Sequence, residues 1–175
     1  MKSGLDQLSK YAEYHRDRRN IATHLVGVPM IVFAVGVLLN RPLFEVGGGV
    51  YLTPALVLWL LSSLWYLSRG LGLVGLTTVV VNLWLFWAAH LLMDASTAVW
   101  LAWGLGAFVL GWAIQFVGHY WEGRKPAFAD DLVGLLVGPA FVVGEALFAL
   151  RLCKPLAETI EREAGPLRSR PAAIT

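Results

Sequence analysis

The chain has 175 residues, 57% of them hydrophobic and only 15% charged, with a mean hydropathy of +0.63. Soluble domains carry about 25% charged residues, whereas Ile21 to Gly118 holds only four, Arg41, Glu45, Arg69 and Asp94; a soluble core is excluded, and an integral membrane protein remains. The single cysteine, Cys153, excludes a disulfide scaffold, and a net charge of +2 gives no reason to expect nucleic acid as a partner.

In chain order, residues 1–20 are polar, and no cleavable signal peptide is expected there. Leu5–Arg19 reads either as an amphipathic helix on the cytoplasmic surface, with Leu5, Leu8, Ala12 and His15 on one face, or as a solvated charged tail. Asn20 is placed to cap the helix that follows. Spans are predicted at Ile21–Leu39, Val50–Leu67, Leu73–Met93 and Thr97–Val117, each close to the ~20 residues that cross hydrocarbon. After a polar stretch, Leu132–Leu150 is a weaker apolar segment interrupted by Gly134, Gly138, Pro139, Gly144 and Glu145. The end, from Gly165, reads as disordered.

Basic residues near span ends orient the chain. Lys2, Lys10, Arg16, Arg18, Arg19, Arg69, Arg124 and Lys125 fall on one side and Arg41 on the other, which puts the N-terminus and the 119–131 loop in the cytoplasm. The tail adds Arg151, Lys154, Arg162, Arg168 and Arg170. A full fifth span would strand those charges outside, so a re-entrant or interfacial segment is preferred to a fifth span. The expected fold is an all-α polytopic helix bundle with four spans plus this re-entrant or fifth segment. It forms one domain over 1–175: a surface helix to residue 20, a membrane region over 21–150 and a cytoplasmic tail. The expected location is a bacterial inner membrane.

Topology also sorts the four histidines. His15, His24 and His119 fall on the cytoplasmic side, while His90 lies roughly 30 Å away. His15 and His24 are nine residues apart, half a turn out of phase on one helix, so they converge only if the chain breaks near Arg16–Asn20. Gln115, His119 and Glu122 share a stripe, as do Tyr11 with His15 and Asn20 with His24. Each histidine alone reads as an ordinary interfacial residue. Three on one side, with Asn20, Gln115 and Glu122, open the alternative of a metal site, because neutral imidazole is a common ligand of Fe, Zn and Cu. Asp130 and Asp131 either cap the fifth segment or add a carboxylate ligand. Glu145, costly in lipid, is either a functional candidate or a partner of Arg124 or Lys125, and Asn82 is expected to join helices.

Two motifs carry a resemblance. Tyr11-x3-His15-x4-Asn20-x3-His24 with Gly27-Val-Pro29, and Gln115-Phe-Val-Gly-His119 with Glu122-Gly-Arg-Lys-Pro126 and Asp130-Asp131, resemble the signatures of the 2-hydroxy-fatty-acid dioxygenase family of fatty-acid α-oxidation. The resemblance implies Fe(II) on His15, His24 and His119, with Tyr11, Asn20 and Glu122 as catalytic candidates. It implies long-chain 2-hydroxy fatty acid and O2 as substrates, converted to the acid one carbon shorter and CO2 by an enzyme seated among membrane lipids. Arg124 and Lys125 then either hold the substrate carboxylate or simply add charge at the membrane surface. The competing readings are a non-enzymatic metal-binding membrane protein and a Zn-dependent membrane hydrolase; a carrier should have polar residues through its midplane, where Asn82 stands nearly alone.

Overall fold

The structure, a computed structural model, describes residues 3–129 and 131–168. Among these residues the elements are α1 (Gly4–Ala12), α2 (Arg18–Asn40), a hairpin of β1 (Phe44–Gly47) and β2 (Val50–Leu52), α3 (Pro54–Ser68), α4 (Leu73–His90), α5 (Thr97–Glu122), a 3-10 turn at Ala127–Ala129, α6 (Gly134–Ala149) and α7 (Lys154–Ala164). The predicted all-α class holds except for the hairpin. There the start of the expected span Val50–Leu67 is a strand paired antiparallel with β1, turned by Gly47, Gly48 and Gly49 at positive φ. What remains of that span is α3, 15 residues long and capped by the Thr53 side chain.

Three helices are long and apolar enough to cross a membrane: Arg18–Asn40, Leu73–His90 and Thr97–Glu122. The third runs a full turn past the expected end at Val117. α6 and α7 meet at a bend of 116°, so the fifth segment is one limb of a sharply turned pair. Polarity is distributed inside out. Leu61, Leu64, Trp84, Trp87 and Val109 are each more than half exposed, while Asn20, His24, Thr78, Asn82, Gln115 and Glu122 are buried. That pattern suits a hydrocarbon surround, where polar groups satisfy one another inside the bundle. Tyr66 is an example: its hydroxyl, on α3, donates to the Leu136 carbonyl of α6 at 2.8 Å, with Asn82 of α4 buried close by.

The core pair is α2 and α5. They touch through glycines: a Cβ on Gly27 would come within 2.8 Å of the Gly111 carbonyl oxygen, and one on Gly111 within 2.9 Å of the Gly27 carbonyl oxygen. Small residues let the backbones approach this closely. α4, α3 and α6 pack around α2.

The N-terminal helix differs from its expectation. It ends at Ala12 and not at Arg19, and starts with a reciprocal capping box between Ser3 and Asp6. The Gly4 N–H donates to the Arg69 carbonyl at 3.0 Å, and Leu8, Tyr11 and Ala12 are buried against α6 and α7. Asn20 is not the cap of α2. Asp17 is, its carboxylate accepting the Arg19 N–H at 2.8 Å, which leaves Asn20 inside the first turn. The tail beyond Gly165, read as disordered, forms a strap through Arg168: the Arg168 N–H donates to the Arg16 carbonyl at 2.7 Å, and the Arg18 N–H donates to the Arg168 carbonyl at 3.4 Å.

Two measurements check this frame. Gly27→Ala is expected to destabilise the α2–α5 pair by about 1–3 kcal/mol, read as a lower thermal midpoint in detergent. With Cys153 replaced by Ser, single cysteines at Ser3 and Glu163 are expected to label from one face of the membrane and a cysteine at Asp94 from the other.

Candidate metal centre

Three different local structures deliver the histidines. α1 is closed by turns in which the Tyr14 N–H donates to the Tyr11 carbonyl and the His15 N–H to the Ala12 carbonyl, so His15 sits in the reversal between α1 and α2. His24 lies within α2. His119 is in the last turn of α5, which Gly123 terminates in the left-handed region at φ +70°. The break predicted for Arg16–Asn20 is real and falls slightly earlier, between α1 and Asp17.

All three imidazoles are buried, His15 and His24 completely. His15 Nδ1 is 2.7 Å from the Tyr11 carbonyl and His24 Nδ1 is 2.9 Å from the Asn20 carbonyl. A carbonyl only accepts, so each Nδ1 carries the proton and each Nε2 presents a lone pair. Those two Nε2 atoms face each other at 3.1 Å. Burial, then the charge His24 would carry, holds the His15 imidazole well below the usual histidine range, so at neutral pH no proton bridges the pair. Two lone pairs at this distance repel, and a cation between them removes the repulsion.

His119 completes the set. Its Nδ1 is buried without a hydrogen-bond partner, while the ring hydrogen-bonds the Arg124 backbone. One nitrogen from each of the three rings lies within 4.8 Å of the other two. Nitrogen ligands ~2.1 Å from a metal stand about 3–3.5 Å apart. The His15–His24 pair is already at that spacing, and His119 has ~1.5 Å at most to close. Carbonyl partners on the far ring nitrogens are the usual means of fixing tautomer and orientation in such sites. The donor set therefore fits a transition metal.

The surroundings lock this geometry. Tyr11 stacks on His15 at 4.3 Å and 7°, and Phe141 of α6 lies 5.1 Å from both rings. Glu122 is buried, and its Oε1 accepts the Arg16 N–H at 3.1 Å and pairs with Arg168. Its Oε2 accepts the Asp17 N–H at 2.8 Å and the Asn20 amide at 3.1 Å. The same amide reaches the Tyr14 carbonyl at 3.2 Å. Both oxygens of Glu122 are thus committed to fixing the His15 turn against α5. Tyr11, Asn20 and Glu122 surround the histidines, as the motifs suggest.

Other expected residues fall elsewhere. Arg124 is exposed, donating to the Glu13 carbonyl at 3.0 Å and resting over the Tyr14 ring; Lys125 is exposed beside it. Glu145 does not pair with either. It faces the buried Arg16 guanidinium at 3.9 Å, because the turn before α2 and not the 123–125 loop packs against that part of α6. Asp131 is exposed and outside the cluster, its carboxylate accepting the Val133 N–H at 2.9 Å ahead of α6. Asp130 lies outside the described residues. His90 is exposed at the end of α4, beside Asn40 and Tyr51. Sequence reasoning missed Arg16, Phe141 and Arg168, none of which stands in a pattern that marks it.

The family model described as 2-hydroxy-palmitic acid dioxygenase Mpo1-like matches residues 1–150. The 2-hydroxy-palmitic acid dioxygenase MPO1 of Saccharomyces cerevisiae is 35% identical over 161 residues, which cover 90% of this chain and 87% of the yeast protein. No solved structure matches the chain.

Anaerobically isolated protein is expected to hold one transition-metal ion per chain by elemental analysis. Ala at His15, His24 or His119 should abolish it, and His90→Ala should leave it intact. Glu122→Gln removes one acceptor oxygen from a buried network, at a cost of about 1–3 kcal/mol, and should lower metal retention without touching a donor atom.

Proposed function

The chain belongs to the Mpo1-like family, and on that premise we propose that it is an Fe(II)-dependent dioxygenase that removes C1 of a long-chain 2-hydroxy fatty acid. The products are CO2 and the fatty acid one carbon shorter. The observation that carries the metal-dependent part of this reading is the pair of lone-pair-bearing Nε2 atoms 3.1 Å apart, with a His119 ring nitrogen within 4.8 Å of the cluster and the His119 Nδ1 buried without a partner. The family and the yeast relative support the substrate class.

The overall reaction balances without a further reductant: R-CHOH-COOH and O2 give R-COOH, CO2 and H2O, a four-electron oxidation matched by full reduction of O2. Fe(II) bound at the three histidines supplies the electron transfer to O2 that polypeptide side chains lack. Each protein group then has a definite task. Three neutral imidazoles add no negative charge, so the centre attracts a carboxylate. Glu122 and Asn20 hold the His15-bearing turn in register with α5 and leave the imidazoles little freedom to drift apart. Tyr11 and Phe141 cover His15 and exclude water. Burial pushes the Tyr11 phenol above its usual range, which keeps its proton in place as a donor. Arg124 and Lys125, at the rim, are suited to draw the substrate carboxylate toward the histidines. The basic residues clustered at this end of the chain orient the centre toward the cytoplasm.

Iron-loaded protein is expected to consume O2 with a C16 2-hydroxy acid and release C1 as CO2, without 2-oxoglutarate or NADPH, and to stop under a ferrous chelator. No O2 uptake with any 2-hydroxy acid from about C12 to C24, lengths that span the range of useful chain burial, would overturn the reading.

A further inference from the structure

One residue four positions from each histidine lines a common cavity: Tyr11 before His15, Val28 after His24 and Gln115 before His119. On α2 and α5 this spacing is one helical turn, and Tyr11 reaches the cavity by stacking on His15. The space therefore lies one layer of side chains from the histidines, separated from His15 by the Tyr11 ring, on the side that leads along α2 and α5 into the apolar part of the bundle. Ile31 and Val32 continue it on α2, Trp112 on α5, and Leu135 and Pro139 wall it from α6. Its histidine end carries two polar groups, the Tyr11 hydroxyl and the Gln115 amide. Gln115 is only 6% exposed, an expensive place for an amide unless it has polar work to do. The absence of a side chain at Gly138 keeps the room open, since a Cβ there would stand 3.2 Å from the Tyr11 hydroxyl.

The enclosed volume is about 60 Å³, the share of roughly two water molecules. That is far too little for a long acyl chain. Beyond it the walls thin out: Leu135 is 49% exposed, and Ile31, Val32 and Trp112 are half-buried.

We infer that this cavity receives the substrate head and its first carbons, and that the rest of the acyl chain leaves along the Val32–Trp112–Pro139 seam into lipid. The Tyr11 hydroxyl donates to the carboxylate. Gln115 reads the 2-hydroxyl, its amide oxygen accepting from it, and is the residue that separates 2-hydroxy acids from plain fatty acids. Selection then acts near the head group and not at the distal end of the chain. The inference rests on the substrate class of the proposed function.

The test uses full-length protein in lipid nanodiscs and a C16 2-hydroxy acid with a diazirine in mid-chain, irradiated without O2 and mapped by peptide mass spectrometry. Adducts are expected on α2, α5 and α6 along the seam. Adducts concentrated elsewhere, such as the groove between the hairpin and α3, would overturn the inference. Binding is measured in parallel by displacement of the probe. Val32→Trp should weaken a C16 2-hydroxy acid by at least about tenfold and a C6 acid by less than about threefold, since only the longer chain loses buried methylenes. Val32→Ala, which adds no bulk, should admit a chain branch, rejected by the parent, at the point where the acyl chain passes the seam, and continued rejection would overturn the seam as the exit. Gln115→Leu should lower the preference for the 2-hydroxy acid over the unsubstituted acid by about fivefold or more. Equal losses at every chain length, or an unchanged preference in Gln115→Leu, would overturn the assignment. Labelling requires no turnover: protein labelled in the seam but inert toward O2 retains the binding site and loses the dioxygenase reading, and active protein labelled elsewhere does the reverse.

Discussion

The arrangement depends on one buried carboxylate. Glu122 closes α5, and its two oxygens gather the Arg16 and Asp17 backbone N–H groups, the Asn20 amide and the Arg168 guanidinium. A carboxylate away from water is costly unless its lone pairs are filled, and here they are filled by charge-assisted bonds, about twice as strong as neutral ones. Every one of those donors lies in the turn that carries His15, at the head of the helix that carries His24, or in the strap across both. His119 is three residues before Glu122 on the same helix. The carboxylate thus fixes three histidine-bearing segments against one another while itself standing outside the cluster.

Around that point the molecule is built for a surround without water. The outward faces of α3, α4 and α5 are apolar, and the polar side chains turn inward to meet one another. The α2–α5 contact through Gly27 and Gly111 brings His24 and His119 within reach, because these helices bear the two residues on facing surfaces. Helix packing and the geometry of the histidine cluster are therefore one problem, solved at one interface.

Much of this was legible in the chain itself. Hydropathy and charge spacing marked α2, α4 and α5, because a membrane helix announces itself residue by residue. The grouping of His15, His24 and His119, and the exclusion of His90, followed from which side of the bilayer each occupies. The β-hairpin was hidden because Val50–Leu52 reads as the start of the span Val50–Leu67, while Phe44–Gly47 falls in the loop before it; only the three consecutive glycines signal its turn. Asn20 looked like a cap because its type is right, but Asp17 stands closer to the break and has Arg19 to pair with. The partner of Glu145 depended on how the Arg16 turn packs against α6, a tertiary fact with no local signature. Arg168 was illegible for the same reason, 46 residues from the carboxylate it meets.

The strap has a consequence in time. The first helix and its histidine are among the earliest parts of the chain to be made, yet the contacts that pin them, from the strap's backbone and the Arg168 guanidinium, come from residues 165–168. Pairing across such a separation is slow to form. During synthesis the His15 turn can meet Glu122 and Phe141 before it gains the strap, whose contacts form only once residue 168 has been made. The histidine cluster is consequently closed over only after the last described helix has been made.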